Sequence, residues 1–205
     1  MLDEKGFDLW ADGYDRDVAR SDEERTYPFA GYRQVLSGIC RLVMQGAHES
    51  VLDVGFGTAV LTEKLYTLGC GIWGQDLSGR MVEIAAAKMS GAHLFRGDIA
   101  EGLAAPLLAQ RYDCIVATYS LHHLTDAQKE AFLPVLLPLL KPGGRLLIGD
   151  VAFSDRAALE SCREKAGEEW DEEESYFVFE ELREKFPTLT FTQVSFCAGI
   201  LTLTK

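Results

Sequence analysis

The sequence predicts an α/β fold: a doubly wound sheet, largely parallel, with helices on both faces and an antiparallel hairpin to finish. Three observations carry this. Strand-like runs and helical patterns alternate five times between Ser50 and Phe153. The strand-like runs are continuously apolar, as strands covered on both faces are, and right-handed crossovers leave few other arrangements. Near the end, "LTFTQVSF" and "GILTLTK" are separated by a turn around Ala198 and Gly199 that is too short for a crossover, so those two strands must be antiparallel.

Each element has its own signal. From Glu23 to about Gln45, Val35, Leu36, Ile39, Leu42 and Val43 recur at helical spacing, with Pro28 breaking the pattern near its start. "SVLDVG" is a buried strand ending in glycine, and "TAVLTEKLYTLG" is a helix opening at Thr58 and stopping at Gly69. "CGIWGQD" reads as a second strand. "SGRMVEIAAAKMSG" follows as a helix with Ser78 as N-cap and Gly91 past its end. "AHLFRGD" and "YDCIVATYS" are the third and fourth strands, "TDAQKEAFLPVLLPLLKPGG" a helix, and "RLLIGDVAF" the fifth strand. An acidic helical region leads to the hairpin.

The chain of 205 residues suits one substantial core. Its opening, "MLDEKGFDLWADGYD", is acidic and carries no secretory signal pattern, and "AFLPVLLPLL" is too short for a membrane span. A cytoplasmic protein with no membrane partner is expected. Five cysteines, none in a CxxC pair, read as small core hydrophobes in a reducing compartment. A net charge of −12 disfavours a nucleic-acid partner. The state expected is a monomer or homodimer.

The chemistry starts at "VLDVGFGTAV". A dinucleotide fingerprint places a third glycine three residues beyond the second, and Val60 stands there, where close helix packing needs a small side chain. The loop instead matches D-x-G-x-G-x-A, with Asp53, Gly55, Gly57 and Ala59. Asp76 closes the second strand and Asp98 follows the third. Ligands of open parallel sheets bind outside the carboxyl ends of the strands, so these three carboxylates converge on one crevice. Asp76 suits a pair of ribose hydroxyls and Asp98 an exocyclic amine, and neither welcomes a pyrophosphate. The crevice fits an adenosine without phosphates. Any one of these acids alone reads more simply as a cap or turn former; their conjunction is the signal.

"VLDVGFGTAVLTEKL", "GQDLSGRMVEIAAAKM", "FRGDI", "YDCIVATYSLHHL" and "LKPGGRLLIGD" together resemble the class I S-adenosylmethionine-dependent methyltransferases. The opening "GFDLWADGYDRDV" is similar to the FDxWAxxYD segment of small bacterial members. The resemblance implies a Rossmann-like seven-stranded sheet of order 3-2-1-4-5-7-6 with strand 7 antiparallel. It also implies S-adenosylmethionine as cofactor, with Asp53, Gly55 and Gly57 facing its methionine part, Asp76 with Leu77 its ribose, Asp98 with Ile99 its adenine, and Thr118 on the same rim. Ala59 departs from the family's more frequent glycine. One domain over 1–205 is expected: a helical cap over 1–46, a cofactor-binding core over 49–153, and substrate-side helices with the closing hairpin over 154–205.

Methyl transfer from a sulfonium needs alignment, exclusion of water and, for some nucleophiles, a proton acceptor. Candidates follow the fourth strand (Thr118, Tyr119, His122, His123) or lie on the N-terminal segment (Trp10, Tyr14, Tyr32, Arg33). His123 and Tyr14 are the two assigned a catalytic part, on the strength of the resemblance. No metal site is expected, because adjacent histidines point apart and no third ligand stands near them in sequence. The acids of "GEEWDEEESYFVFEEL" read as a solvated helix face, with Trp170, Tyr176 and Phe177 as an apolar wall for a neutral or cationic substrate. A small-molecule acceptor is expected, since the chain carries no basic surface in its totals. A non-catalytic protein binding S-adenosylmethionine or S-adenosylhomocysteine, as sensor or partner subunit, needs the same crevice and stays open. An NAD-dependent oxidoreductase is disfavoured by Val60.

Overall fold

The structure is a computed structural model that describes residues 18–46 and 50–205. After a helix α1 seen over residues 18–24, the elements run α2 (Tyr32–Met44), β1 (Ser50–Val54), α3 (Val60–Thr67), β2 (Gly71–Asp76), α4 (Gly79–Lys88), β3 (His93–Arg96), α5 (Ala105–Leu108) and β4 (Tyr112–Thr118). They continue with a 3₁₀ turn (Leu121–His123), α6 (Asp126–Leu136), β5 (Leu140–Phe153), α7 (Arg156–Ala166), β6 (Phe177–Val178), α8 (Phe179–Lys185), β7 (Thr190–Gln193) and β8 (Ala198–Thr204).

The sheet runs β3-β2-β1-β4-β5-β8-β7, with the two-residue β6 paired to the end of β5. Strands β1 to β5 are mutually parallel, and β8 lies antiparallel between β5 and β7. Apart from the short β6, this is the order expected, 3-2-1-4-5-7-6 with its inserted strand antiparallel. Successive side chains of a strand face opposite sides, and both sides here are apolar. Val51, Cys114, Val116 and Leu147 pack with Val35 and Ile39 of α2, Leu65 of α3 and Ala85 of α4. Leu52, Ile115, Leu146 and Ile148 pack with Leu107 of α5, Leu133 and Leu136 of α6 and Leu182 of α8. Among the described residues, no helix is long and apolar enough to cross a membrane.

Several expected boundaries move. The helix expected from Glu23 begins at Tyr32, because the chain turns through Tyr27–Pro28 and enters α2 from Gly31 in the left-handed region at φ 86°. Helix α3 starts at Val60 rather than Thr58, and its N-cap is Ala59, itself left-handed at φ 65°. Strand β5 begins at Leu140, since "LKPGG" pairs with Tyr112 before the register shifts. The acidic run is no single helix: α7 stops at Ala166, a 3₁₀ turn covers Gly167–Glu169, and β6 intervenes before α8. Helix α6 starts where expected but ends at Leu136, with a 3₁₀ turn over Leu137–Leu139; its start rests on a capping box, in which the Thr125 hydroxyl accepts from the Gln128 backbone and the Gln128 side chain accepts from the Thr125 backbone.

Candidate active site

The glycine loop is held from both sides. Gly55 has φ 74°, and a Cβ there would sit 2.4 Å from Ser120 Cβ, so only glycine lets β1 hand the chain over beside the end of β4. Its N–H donates to Gln75 O at 2.8 Å, and Ser120 Oγ donates to Val54 O at 2.7 Å. Two residues on, Gly57 bends at φ 52°, and a Cβ there would meet none of the described residues within 4 Å. The Gly57 N–H donates to Asp76 Oδ2 at 2.8 Å. Asp76 Oδ1 accepts from Ser78 N at 3.0 Å, and the Ser78 hydroxyl caps α4 by accepting from Met81 N. One carboxylate therefore joins the end of β2 to the glycine bend and the start of α4.

Asp53 is buried in β1 beneath this loop. Thr62 Oγ1 donates to its Oδ2 at 2.5 Å, while its Oδ1 is buried with no hydrogen-bond partner. Burial lifts its pKa to about 7, against the lowering effect of Thr62 and with a smaller push from the Asp76 charge. A buried, under-satisfied carboxylate is a place for a cationic donor. Asp98 is exposed after β3, its Oδ1 accepting from Ala100 N at 2.8 Å, with Ile99 half-buried against the core beside it. Leu77 and Thr118 are half-buried at the ends of β2 and β4. The predicted cofactor residues thus lie at the carboxyl ends of four neighbouring strands.

Beyond β4 the chain is strained and crowded. Tyr119 takes φ 49°, rare for a bulky residue, and its ring packs against Phe29 at 5.5 Å and Tyr32 at 5.1 Å. Arg33 pairs with Asp22 and Glu23 on the surface. Trp10 and Tyr14 lie outside the described residues. The 3₁₀ turn then brings the two histidine rings together, 4.2 Å apart with planes at 63°. The expectation that these side chains diverge is corrected by that turn.

The sequence reading missed the partners of these histidines. His122 Nδ1 lies 2.6 Å from Asp150 Oδ1, both groups buried. Glu174, from the loop before β6, places Oε1 3.5 Å from His122 Nε2 and 3.7 Å from His123 Nδ1. The Tyr176 hydroxyl donates to Glu174 Oε2 at 2.8 Å and also meets the Tyr27 hydroxyl. Trp170 stacks on Tyr27 at 5.2 Å and meets Tyr176 edge-on at 4.9 Å. Burial pushes His123 down to about 3, with His122 adding to the effect. For His122 burial acts the same way but is outweighed by the charge and hydrogen bond of Asp150 and the charge of Glu174, which hold it above its ordinary value. Phe177 does not join the expected wall: it packs on the opposite side of the sheet, under the Lys129 ammonium. Asp150 lies inside β5, where the strand-end rule that found Asp53, Asp76 and Asp98 does not point. Glu174 carried no such signal.

Residues 51–144 match the model of a family described as "Methyltransferase domain". An uncharacterized methyltransferase of Geobacillus kaustophilus (strain HTA426) is 40% identical over 161 residues, 78% of this chain and 72% of that protein. The chain belongs to this methyltransferase family. A further uncharacterized methyltransferase, of Geobacillus thermodenitrificans (strain NG80-2), is 37% identical to the methyltransferase over 161 residues, again 78% of this chain and 72% of that one. Solved structures share its fold. The magnesium protoporphyrin IX methyltransferase of Synechocystis PCC 6803, solved with bound SAH, gives a TM-score of 0.67 at 19% identity, over 86% of this methyltransferase and 84% of that chain. The N-methyltransferase NodS of Bradyrhizobium japonicum WM9, in complex with S-adenosyl-L-homocysteine, gives 0.62 at 20% identity, over 93% and 95%.

Proposed function

We propose that the methyltransferase binds S-adenosylmethionine across the carboxyl ends of β1 to β4 and methylates a small-molecule acceptor held beside the turn after β4. The observation that carries the reading is the buried Asp53 carboxylate, with one oxygen unpartnered among the described residues, under a glycine bend that none of them crowds. An α-ammonium group is the complementary charge for that oxygen, and the bend lets backbone come close to the methionine part. Asp76, already aimed at the glycine loop, is the residue assigned to the ribose hydroxyls, with Leu77 alongside. Asp98 and Ile99 offer an amine acceptor and an apolar face for adenine, and Thr118 closes the rim. That structural relatives were solved with S-adenosylhomocysteine bound supports the same reading.

When bound, the cofactor supplies a methyl carbon that an acceptor lone pair attacks as the carbon–sulfur bond breaks and its electrons pass to sulfur, which leaves as a neutral thioether. The protein's own part is alignment and exclusion of water. Tyr119, Trp170 and Tyr176 wall the acceptor side, and His123 and Tyr14 are the residues assigned to contact the acceptor or its proton. Isothermal titration of the cofactor-stripped protein with S-adenosylmethionine, S-adenosylhomocysteine and NADH in parallel tests the reading. Micromolar binding of the first two and none of NADH is expected, and binding of NADH alone would overturn the assignment of the crevice.

A further inference from the structure

We infer that His122, His123 and Glu174 form a binding site for a divalent metal ion of the zinc type. Their donor atoms, the two imidazole nitrogens and a carboxylate oxygen, all lie within 4.8 Å of one another. The distances from Glu174 Oε1 to His122 Nε2 and His123 Nδ1, 3.5 and 3.7 Å, are long for hydrogen bonds. They lie close to the roughly 3.3 Å that separates neighbouring ligands of a tetrahedral ion with bonds of ~2.0–2.1 Å. The two Glu174 distances need to shorten by only a few tenths of an ångström to reach that value.

The surroundings are those a metal site requires. Asp150 Oδ1 holds His122 Nδ1 at 2.6 Å and so turns Nε2 towards Glu174, the carboxylate–histidine support that fixes tautomer and orientation in metal sites. Tyr176 occupies Glu174 Oε2 at 2.8 Å, which leaves Oε1 to face both imidazoles. Asp150 and Glu174 put two largely buried carboxyl groups beside the imidazoles, and Asp150 Oδ2 is buried with no hydrogen-bond partner among the described residues. The nearby Lys129 ammonium is already bonded to Asp126 Oδ1 and to Ser175 O. A dication there would be attracted by both carboxyl groups. Two imidazoles exclude the oxygen-seeking Mg²⁺ and Ca²⁺ and suit zinc and its first-row neighbours. Among the described residues the set stops at three, as in sites that keep a fourth position open. On the methyl-transfer reading, and resting on it, that position would take an anionic sulfur or oxygen of the acceptor.

The test uses the full chain, treated with chelator and dialysed. Calorimetric titration with Zn²⁺, and titration with Co²⁺ followed by visible d–d absorption, are expected to show one equivalent bound per chain. Glu174→Gln and His123→Ala, both on the partly exposed side of the cluster, should each weaken binding on the order of 100-fold, and Asp150→Asn by about 10–100-fold. Each sample is also titrated with S-adenosylhomocysteine, which reports both folding and the cofactor crevice. No saturable Zn²⁺ or Co²⁺ binding in a protein that still binds S-adenosylhomocysteine overturns the metal site alone, as does binding that all three variants leave unchanged. Metal binding that depends on these residues in a protein that binds no S-adenosylhomocysteine upholds the site and overturns the methyl-transfer reading.

Discussion

Substituting Asp53 by asparagine should remove a pH dependence of stability that the wild-type fold carries. Burial raises the Asp53 pKa to about 7 from the ordinary carboxylate value of 3.8, so between those limits the native state keeps a proton that the unfolded chain has released. Where the native state binds more protons, stability falls as pH rises, by about 1.4 kcal/mol per pH unit for a single proton. Wild type should therefore lose roughly 3 kcal/mol between pH 5 and pH 8, with the loss ending once Asp53 ionises near pH 7. The asparagine amide cannot ionise, and its carbonyl can still accept from Thr62. Urea unfolding of both proteins at pH 5, 6, 7 and 8 supplies the comparison, in which every other titrating group is common to the two. A difference between the curves that grows in favour of the variant up to pH 7 and then levels is the expected result. Parallel curves across the whole range would refute the placement of a proton on Asp53. The same linkage bears on the cofactor: a cation docking against Asp53 favours its ionised form, so binding below pH 7 should release a proton, visible as a buffer dependence of the calorimetric heat.

Three further outcomes follow from the site. Gly55→Ala should lose about 2–4 kcal/mol of stability, from left-handed strain and the encounter with Ser120, whereas Gly57→Ala carries the strain alone and loses about 1–2 kcal/mol; thermal melts would order the two. Asp76→Ala strands the Gly57 and Ser78 N–H groups, so it should cost about 2–4 kcal/mol in chemical unfolding and also remove most affinity for S-adenosylhomocysteine in calorimetry. Arg156→Ala breaks a two-pronged but half-exposed pair with Glu181, and a double-mutant cycle should return less than about 1 kcal/mol.

The parallel half of the sheet could be read from sequence because its strands are largely apolar runs, the first three of which stop at a glycine or an acid. The crevice was legible for the same reason: Asp53, Asp76 and Asp98 stand where strands end. Asp150 lies inside a strand that continues to Phe153, so nothing marked it as an end. Helix α5 is a single turn and too short for a period to register. The histidine pair was misjudged because adjacent side chains diverge in an extended chain or a regular helix, and only the 3₁₀ turn brings them side by side. Glu174 sits in a run of acids whose simplest reading is a wet surface. What sets it apart from its neighbours is tertiary: Tyr176 and two imidazoles close around it, and no spacing in the chain encodes that meeting.

The antiparallel insertion of β8 also dictates an order of assembly as the chain leaves the ribosome. Strands β1 to β5 can pair in turn as they are made, but β7 emerges with no neighbour on the sheet and must wait for β8 to come between it and β5. During that interval β5 presents an open edge carrying Leu146, Leu147 and Ile148, which is the kind of surface that recruits other nascent chains. The strand that ends this exposure pairs with β5 from Arg145↔Thr204 to Val151↔Ala198, so its docking is a zipping of seven residue pairs rather than a local touch. Substitutions in residues 198–204, where Ile200, Leu201 and Leu203 are buried, should thus lower soluble yield by prolonging that exposure as well as by weakening the folded sheet.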